Sequence, residues 1–354
     1  MTTRSDLALA GSNTKPEAPS APAKRRLSPF VGVALASFGA LILALAINSH
    51  LLPEPAPYDR VSVDAEPSSY ADLGLTEDAR TAAAIRRLEW RTPGVRGPVA
   101  AALVATGPDQ RAVALDWQNF VTEPVLFSDL SVKEVSKVLA AIRDNVPPDA
   151  TLLSWWDFSR KVRLIAQRRA PLDDPQARGL LFPAAWMGSS DRVLSGERAF
   201  WGKGAAKPDE DLFSRYIDAL LLEEAAGAET LRALVPDGNA FIAVHLSDIW
   251  KAATANPGRI GIAYRDFPAA GQSHGVMKAV RQWMDEAKFN GAYAVEPIGN
   301  AVRIHYLTDK SSSNTLLAKL LPFSESNPLL LNEFELVYQH RGFWIYKIKP
   351  KAAS

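Results

Sequence analysis

The sequence predicts an α/β protein in which a single N-terminal transmembrane helix precedes an exported three-layer domain with a mixed sheet. Three observations lead to this fold class. Residues 30–47 form an uncharged, mostly apolar run. From residue 99 onwards, apolar segments of strand length alternate with amphipathic helical patterns, which is typical of three-layer α/β domains. In the last third of the chain, pairs of strand patterns flank short turns, which favours antiparallel strands.

The composition is that of an ordinary globular protein, and it excludes several kinds of chemistry. The 354 residues are 22% charged and carry a formal net charge of +1. A dedicated nucleic-acid-binding protein usually has a strong basic excess, so no nucleic-acid partner is predicted. Because the chain has no cysteine, disulfides, thiolate nucleophiles, Cys-ligated metals and covalent C-x-x-C-H haem attachment are excluded.

The beginning of the chain predicts a membrane anchor. Residues 1–29 are rich in Ala, Pro and Ser and predict a disordered, basic cytoplasmic tail that ends in Lys24-Arg25-Arg26. Residues 30–52 predict a transmembrane helix, since about 20 apolar residues cross a bilayer. The basic cluster precedes this segment. The positive-inside rule therefore predicts a single-pass protein of the inner (plasma) membrane with its C-terminal domain in the periplasm.

A cleaved signal peptide is the alternative interpretation of the same segment. Ala44-Leu45-Ala46 has the small-residue pattern of a cleavage site. However, the stretch before the apolar run is long for a signal peptide, and the run itself exceeds the usual hydrophobic region. The prediction is therefore an uncleaved anchor.

The remainder of the chain predicts a linker and one domain. Residues 53–75 are rich in proline and polar residues and predict a linker, and residues 76–354 predict the periplasmic α/β domain. Thr76–Trp90 predicts its first helix, because a threonine N-cap is followed by acidic residues in the first turn. Val99–Ala105 and Arg111–Leu115 predict strands.

One helix is defined by its cap as well as by its periodicity. Ser131–Asn145 carries an apolar stripe, and Ser131 with Glu134 forms a capping box. Residues 170–210 are rich in Pro, Gly and Asp and predict a long excursion over the sheet. Further helices are predicted at Asp209–Ala226, Ala228–Leu234, Leu246–Ala255, Gly275–Phe289 and Ser313–Leu321. Further strands are predicted at Asn239–His245, Arg259–Tyr264, Tyr293–Ile298, Ala301–Tyr306, Phe334–Tyr338 and Gly342–Ile348.

The main predicted binding site follows a buried strand, Thr151–Trp155. That strand leads directly into Trp155, Trp156 and Asp157 and then into a basic helix, Phe158–Arg168. In open α/β sheets, ligands bind at the carboxyl edge of the strands. The two indoles and the carboxylate are therefore predicted to form a recognition surface for a sugar, a peptide or a protein. In the structural alternative, Asp157 is a helix N-cap and Trp155 belongs to the core.

Arg160 is included among the predicted binding residues because it begins a basic run. The run comprises Arg160, Lys161, Arg163, Arg168 and Arg169. Such a run suits acidic headgroups or an acidic partner. The alternative is a solvated helix face.

His245 and Asp248 complete the predicted binding residues. They come at the end of a predicted buried strand, and such a pair can act as a base and its orienting carboxylate. The spacings H-x-H and H-E-x-x-H are absent, as are G-x-S-x-G and the Gly-rich phosphate motifs. No catalytic residue, metal site or cofactor is therefore predicted. A histidine-dependent metalloenzyme stays open as a further hypothesis.

Two segments resemble membrane oligosaccharyltransferases. PPDATLLSWWDFSRKVRLIAQRRAPL is similar to the segment that carries their Trp-Trp-Asp-Tyr-Gly motif, and TLLAKLLPF with FELVYQHRGFWIYKIK is similar to the end of their extracytoplasmic domains. Phe158-Ser159 replaces Tyr-Gly here. The chain also has only one predicted transmembrane span. In the transferases, many transmembrane spans carry the active site and its metal-binding acidic residues. The resemblance therefore implies a related domain without transfer chemistry, one that recognises a glycan or a peptide.

The overall layout resembles a narrower family. A basic tail, one span, the WWD helix and a Phe-Trp-Ile-Tyr C-terminus are similar to the hydroxylamine oxidation protein of the HaoB type. That family accompanies the multihaem hydroxylamine oxidoreductase of ammonia- and methane-oxidising bacteria. The resemblance implies a membrane-anchored periplasmic accessory protein. Its expected partners are hydroxylamine oxidoreductase or associated cytochromes, and it brings no established catalytic residue.

Overall fold

The computed structural model contains two compact units, Met1–Pro53 and Glu54–Ser354. The residues that it describes are 37–40, 42–43, 55–75, 83–107, 110–203, 210–235, 237–268, 273–289, 291–298 and 300–351. In the first unit, residues 37–40 and 42–43 are helical and exposed. The predicted tail, 1–29, and most of the predicted span, 30–52, lie outside the described residues. Within the described part of the chain, no helix combines the length and the apolar character needed to cross a membrane.

The second unit begins with an antiparallel sheet. Its strands are β1 (Asp59–Asp64), β2 (Ala84–Arg91), β3 (Ala100–Thr106), β4 (Ala112–Ala114) and β5 (Gln118–Asn119). The order is β1-β2-β3-β4, and β5 also pairs with β3. β3 consists almost entirely of Ala, Leu and Val and is buried along its length, as its apolar sequence predicts.

Two predictions differ from the structure in this region. The predicted linker, 53–75, contributes β1, and its Tyr58 and Leu73 are buried. The predicted helix, Thr76–Trp90, is a strand from residue 84, while 76–82 lie outside the described residues. Burial along this segment has a period of two, because Leu88 and Trp90 point into the core while the residues between them do not. Pairing with β1 on one side and β3 on the other outweighs the helix propensity of the alanines.

Nine helices of the described residues follow in chain order. They are α1 (Val132–Asn145), α2 (Trp156–Lys161), α3 (Ser190–Trp201), α4 (Glu210–Leu220), α5 (Glu224–Ala233), α6 (Asp248–Ala255), α7 (Ser273–Glu286), α8 (Lys310–Ser313) and α9 (Leu316–Leu320). α2 continues as one π-helical turn, Val162–Ala166. The predicted capping box of α1 is confirmed, since Ser131 Oγ accepts from the Glu134 amide and the Glu134 carboxylate accepts from the Ser131 amide.

A four-stranded mixed sheet confirms that part of the predicted fold. Its strands are β6 (Thr151–Leu153), β7 (Ala240–His245), β11 (Phe334–His340) and β12 (Phe343–Ile348), in the order β11-β12-β7-β6. β6 runs parallel to β7, and the other pairs are antiparallel. A further antiparallel sheet holds β8 (Ile262–Pro268), β10 (Ala301–Leu307) and β9 (Tyr293–Ile298), in that order.

The two faces of the mixed sheet belong to two different hydrophobic cores. Leu152 and Phe241 point into a core that includes the apolar stripe of α1. Their neighbours Leu153 and Ile242 point into a larger core shared with α4, α5 and α9. This alternation follows from the period of two in strands. Helices therefore cover both faces, and β6, at one end of the strand order, leads into α2.

Candidate functional site

The strand-to-helix turn after β6 is fastened by two serines. Ser154 Oγ lies 2.8 Å from Ser159 Oγ, and the Ser159 hydroxyl also donates to the Ser154 carbonyl at 3.0 Å. The N-cap of α2 is Trp155, and it makes no side-chain capping bond. Asp157 is thus a first-turn residue, and the alternative interpretation of it as an N-cap is wrong.

The two predicted indoles are interior residues. Trp155 and Trp156 are each 1% exposed. Both indole N–H groups donate to the Arg178 carbonyl oxygen, at 3.2 and 2.9 Å. The Trp155 ring also packs edge-on against Phe213, with the centroids 5.3 Å apart. The pair therefore fixes the loop that carries Arg178, and neither ring is available at the surface.

Close packing at Gly179 tightens this arrangement. Gly179 has a φ of +82°, and a Cβ there would lie 2.6 Å from Trp155 Cζ2 and 2.9 Å from Lys251 Cβ. Left-handed backbone costs an L-residue roughly 1–2 kcal/mol even without a clash. Glycine is therefore required here for both its backbone freedom and its lack of a side chain.

Arg160 is likewise interior, and it holds three segments together. Its Nε and Nη2 donate to Asp173 Oδ1 at 2.8 and 2.6 Å, and its Nη1 donates to the Ala112 carbonyl at 3.0 Å. Arg111 and Arg163 also pair with Asp173, at 3.0 and 3.2 Å. Burial raises the pKa of Asp173, but Arg160 and the other arginines outweigh burial and lower it. The interpretation of the basic run as a solvated face is therefore wrong for Arg160.

Asp157 lies at the centre of a buried set of charges that we name the Asp157 cluster: Asp157, Lys161, Asp248 and Lys251. Asp157 Oδ1 is 2.9 Å from Lys251 Nζ, and Oδ2 is 3.5 Å from Lys161 Nζ. Lys251 Nζ is also 3.1 Å from Asp248 Oδ1. All four side chains are buried. Two carboxylates and two ammonium groups balance, which is the condition for keeping charges in a protein interior.

The pKa shifts in the Asp157 cluster reflect burial set against pairing. Burial raises the pKa of Asp157, but Lys251 and then Lys161 outweigh it and bring that pKa to about 2. The pKa of Asp248 is raised, because burial exceeds the effect of Lys251. Burial also lowers the pKa of Lys161, whereas Asp157 and Asp248 raise the pKa of Lys251 despite its burial. Lys251 is thus the cation that holds the cluster together.

The predicted pair of His245 and Asp248 is close in space, but the imidazole is not the group that contacts the carboxylate. Asp248 Oδ2 accepts from the backbone N–H of His245 at 2.8 Å. The ring Nδ1 accepts from the Ser247 amide at 3.1 Å and lies 2.8 Å from Ser247 Oγ. Burial, and then Lys251, lower the pKa of His245 to about 4. The imidazole is therefore neutral at pH 7, and Asp248 does not orient it.

A small cavity adjoins the Asp157 cluster. It has a volume of about 30 Å³, which is room for about two water molecules. Asp116 and Asp129 line it together with His245 and the cluster. Asp116 accepts from the Leu103 amide at 2.5 Å, and burial raises its pKa. Sequence reasoning missed Asp116 and Lys251, because each lies far from Asp157 in the chain and no local pattern marks either.

Another histidine, His305, lies on a different sheet from His245. His305 lies 2.9 Å from Trp250 Nε1 and 2.8 Å from Glu296 Oε2, on the sheet formed by β8, β10 and β9. Among the residues that the structure describes, no group of three His, Cys, Asp or Glu side chains is placed to hold a metal ion.

A second buried carboxylate, also missed from the sequence, joins the start of the unit to α3. Glu197 accepts from the Tyr58 hydroxyl, from Arg60 Nη2 at 2.5 Å, and from the indoles of Trp90 and Trp201 at 3.3 and 2.5 Å. We name these five residues the Glu197 cluster. A buried carboxylate that accepts several hydrogen bonds is compatible with the interior.

Comparison with known proteins decides the family. The family model for the HaoA-associated protein HaoB matches residues 24–348. The chain belongs to the HaoB family. No curated protein matches this HaoB-family chain.

Two solved structures are similar to part of this HaoB-family protein. The C-terminal globular domain of an oligosaccharyltransferase from Archaeoglobus fulgidus is 12% identical, with a TM-score of 0.28, over 61% of this chain and 97% of that one. The C-terminal domain of PglB from C. jejuni is 13% identical, with a TM-score of 0.35, over 60% and 98%.

Proposed function

We propose that this protein is a membrane-anchored accessory of hydroxylamine oxidation that acts by binding or assembly with the periplasmic hydroxylamine oxidoreductase. One observation carries the proposal. The matched family model covers residues 24–348, and that family is named for its association with HaoA. The predicted span at 30–52 supplies the anchor, and the unit from Glu54 onwards faces the periplasm.

The geometry around the WWD segment suits a scaffold. The charges of the Asp157 cluster are paired with one another. Both indole N–H groups donate hydrogen bonds to the Arg178 carbonyl oxygen. Groups that are paired in this way stabilise one shape of the surface around them. A rigid surface favours partner binding, since little conformational freedom is lost on association.

A binding measurement tests the partner. Hydroxylamine oxidoreductase from the same bacterium is titrated against the full chain held in nanodiscs, with an unrelated periplasmic multihaem cytochrome as the control. We expect a Kd of about 1 μM or tighter, which is roughly 8 kcal/mol of binding free energy. Equal binding of both haem proteins, or no binding of either to a correctly folded chain, would contradict the proposal.

A reporter tests the orientation separately. A periplasm-dependent enzyme fused after Ser354 is expected to be active, and a cytoplasm-dependent reporter at the same position is expected to be silent. The reverse pattern would overturn the proposed topology.

The glycan- or peptide-recognising alternative receives less support from the structure. Trp155 and Trp156 were its predicted contact surface, and both are buried. Titration of the full chain with soluble cell-envelope glycan fragments tests it directly. Saturable binding there, together with no binding of hydroxylamine oxidoreductase, would replace the proposed function by the alternative.

A further inference from the structure

The first packed residues of the Glu54–Ser354 unit are fixed at one place on its surface. Ala56 packs against the larger core, and a Cβ at Gly196 would lie 3.8 Å from the Ala56 Cβ. Tyr58 stacks on Trp186, with the ring centroids 4.7 Å apart, and its hydroxyl donates to Glu197. The first packed residues of the unit therefore contact α3 and the turn that precedes it.

Three large apolar side chains are exposed close to this point. Met187, the next residue after the indole on which the tyrosine stacks, is 60% exposed. Phe120 and Val121 are 46% and 41% exposed. Their loop is fastened to the same turn, because the Glu123 carboxylate accepts from the Ala184 N–H at 2.5 Å. We name Phe120, Val121 and Met187 the tether face.

The connection between the proposed membrane span and this surface is short. The predicted span, 30–52, ends at Leu52, and Ala56 is already packed. Four residue steps reach at most ~14 Å, since an extended chain advances roughly 3.5 Å per residue. The interfacial layer on each side of the hydrocarbon core is itself about 5–8 Å thick. A surface next to Ala56 is therefore within reach of the lipid headgroups.

We infer that the tether face inserts into the interfacial layer of the lipid bilayer. This inference rests on the anchoring part of the proposed function. Single exposed apolar side chains are common on proteins, but three of them beside a short membrane tether form a patch for which a lipid surface is the nearest occupant. Side chains such as Phe and Met gain free energy when they leave water for the interface. The contact fixes which side of the unit faces the membrane, so a haem-protein partner binds elsewhere on it.

Because the chain has no cysteine, every introduced cysteine is a unique labelling site. Phe120→Cys, Val121→Cys and Met187→Cys are labelled with an environment-sensitive fluorophore in the full chain. The labelled chains are reconstituted into vesicles of phosphatidylethanolamine and phosphatidylglycerol that contain a lipid with a nitroxide on its headgroup. Leu330→Cys, at a site 77% exposed in the loop before β11, is the matched control.

The three tether-face labels are expected to show about twofold stronger quenching than the Leu330 label, because nitroxide quenching requires contact within the interfacial layer. Equal quenching at all four sites would overturn the inference. The inference would also be overturned if the tether-face labels remained in water until hydroxylamine oxidoreductase was added and became shielded only after its addition. That result would mean that the partner protein, and not the bilayer, covers the tether face.

A further label separates this inference from the anchoring on which it rests. Ala40→Cys, within the proposed span, is examined with a nitroxide placed deep in the lipid acyl chain. Quenching at Ala40 without quenching at the tether face rejects the inference alone. Absence of quenching at Ala40 rejects the anchor as well. Circular dichroism of each labelled chain confirms that it is folded.

Discussion

The Asp157 cluster and the Glu197 cluster bury carboxylates in contrasting ways. Glu197 is surrounded by three neutral donors, a phenol and two indoles, and by one guanidinium that is partly exposed. Asp157 is instead surrounded by two buried ammonium groups, and a second carboxylate balances the charge. Loss of one charge is therefore expected to matter more around Asp157, where all the remaining charges are buried.

The largest expected effect comes from Asp157→Asn. The substitution keeps the shape of the side chain but leaves Lys161 and Lys251 with Asp248 alone. Breaking a buried ion pair on one side costs about 3–5 kcal/mol, so the free energy of unfolding should fall by about that amount. Urea unfolding followed by tryptophan fluorescence measures it.

A surface ion pair serves as the control for that substitution. Asp237→Asn removes the partner of Arg169 in a pair whose side chains are both more than half exposed. Such pairs contribute at most about 1 kcal/mol. If Asp157→Asn cost no more than Asp237→Asn, the Asp157 cluster would have no special dependence on its charge balance.

Glu197→Gln is expected to have a smaller effect than Asp157→Asn. One acceptor oxygen remains, but the new amide N–H₂ faces groups that are themselves donors. Hydrogen bonds to charged groups contribute roughly 1.5–3 kcal/mol, and a loss of about 2–3 kcal/mol is expected. Water can still reach the partly exposed Arg60, which limits the cost. A loss larger than that of Asp157→Asn would reverse the comparison between the two clusters.

Gly179→Ala tests the packing between Trp155 and Lys251. A cost of about 2–4 kcal/mol is expected, since the left-handed backbone is combined with a steric clash. Gly238→Ala is the matched control, because Gly238 has a φ of +74° with nothing within 4 Å of the added Cβ. That variant should lose only about 1–2 kcal/mol. Equal losses in the two variants would show that the site relaxes without strain.

A pH dependence is expected at the edge of the Asp157 cluster. The pKa of His245 is about 4 in the folded chain, below its ordinary value of 6.5. Between these values the unfolded state binds the extra proton, so stability falls as the pH is lowered from 6.5 towards 4. The slope from this group is at most about 1.4 kcal/mol per pH unit.

Urea unfolding across that pH range, for the wild type and for His245→Gln, measures the contribution of His245. The slope should be reduced in the variant. An unchanged slope would assign the pH dependence to other groups. Asp157, whose pKa is about 2, contributes stability that is present above its ordinary value of 3.8 and is lost only as the pH falls towards 2.

Sequence reasoning succeeds in this protein where the signal is local. The capping box of α1 and the tight passage from β6 into α2 each depend on residues close together in the chain. The terminal hairpin of β11 and β12 is confirmed for the same reason. β2 shows the opposite case, because the helix propensity of Thr76–Trp90 is outweighed by pairing with two neighbouring strands.

The site itself was only partly predictable. Trp155, Trp156, Asp157 and Arg160 were correctly placed at the end of a strand, but whether they are exposed depends on distant residues. Arg178, which accepts from both indoles, and Lys251, which neutralises Asp157, come from a loop and a helix with no pattern linking them to the WWD segment. The burial of Glu197 could not be predicted either, since the pattern of an amphipathic helix does not reveal that one of its acidic residues is buried.

The bond between Tyr58 and Glu197 has a mechanical consequence. Tyr58 lies immediately before β1, and β1 is an edge strand held to the sheet by β2 alone. A pulling force applied through residues before Ala56 would load the tyrosine and its indole stack before it reached the first hydrogen bonds of β1. These contacts therefore bear the applied force first and protect the edge strand β1 from being pulled off the sheet.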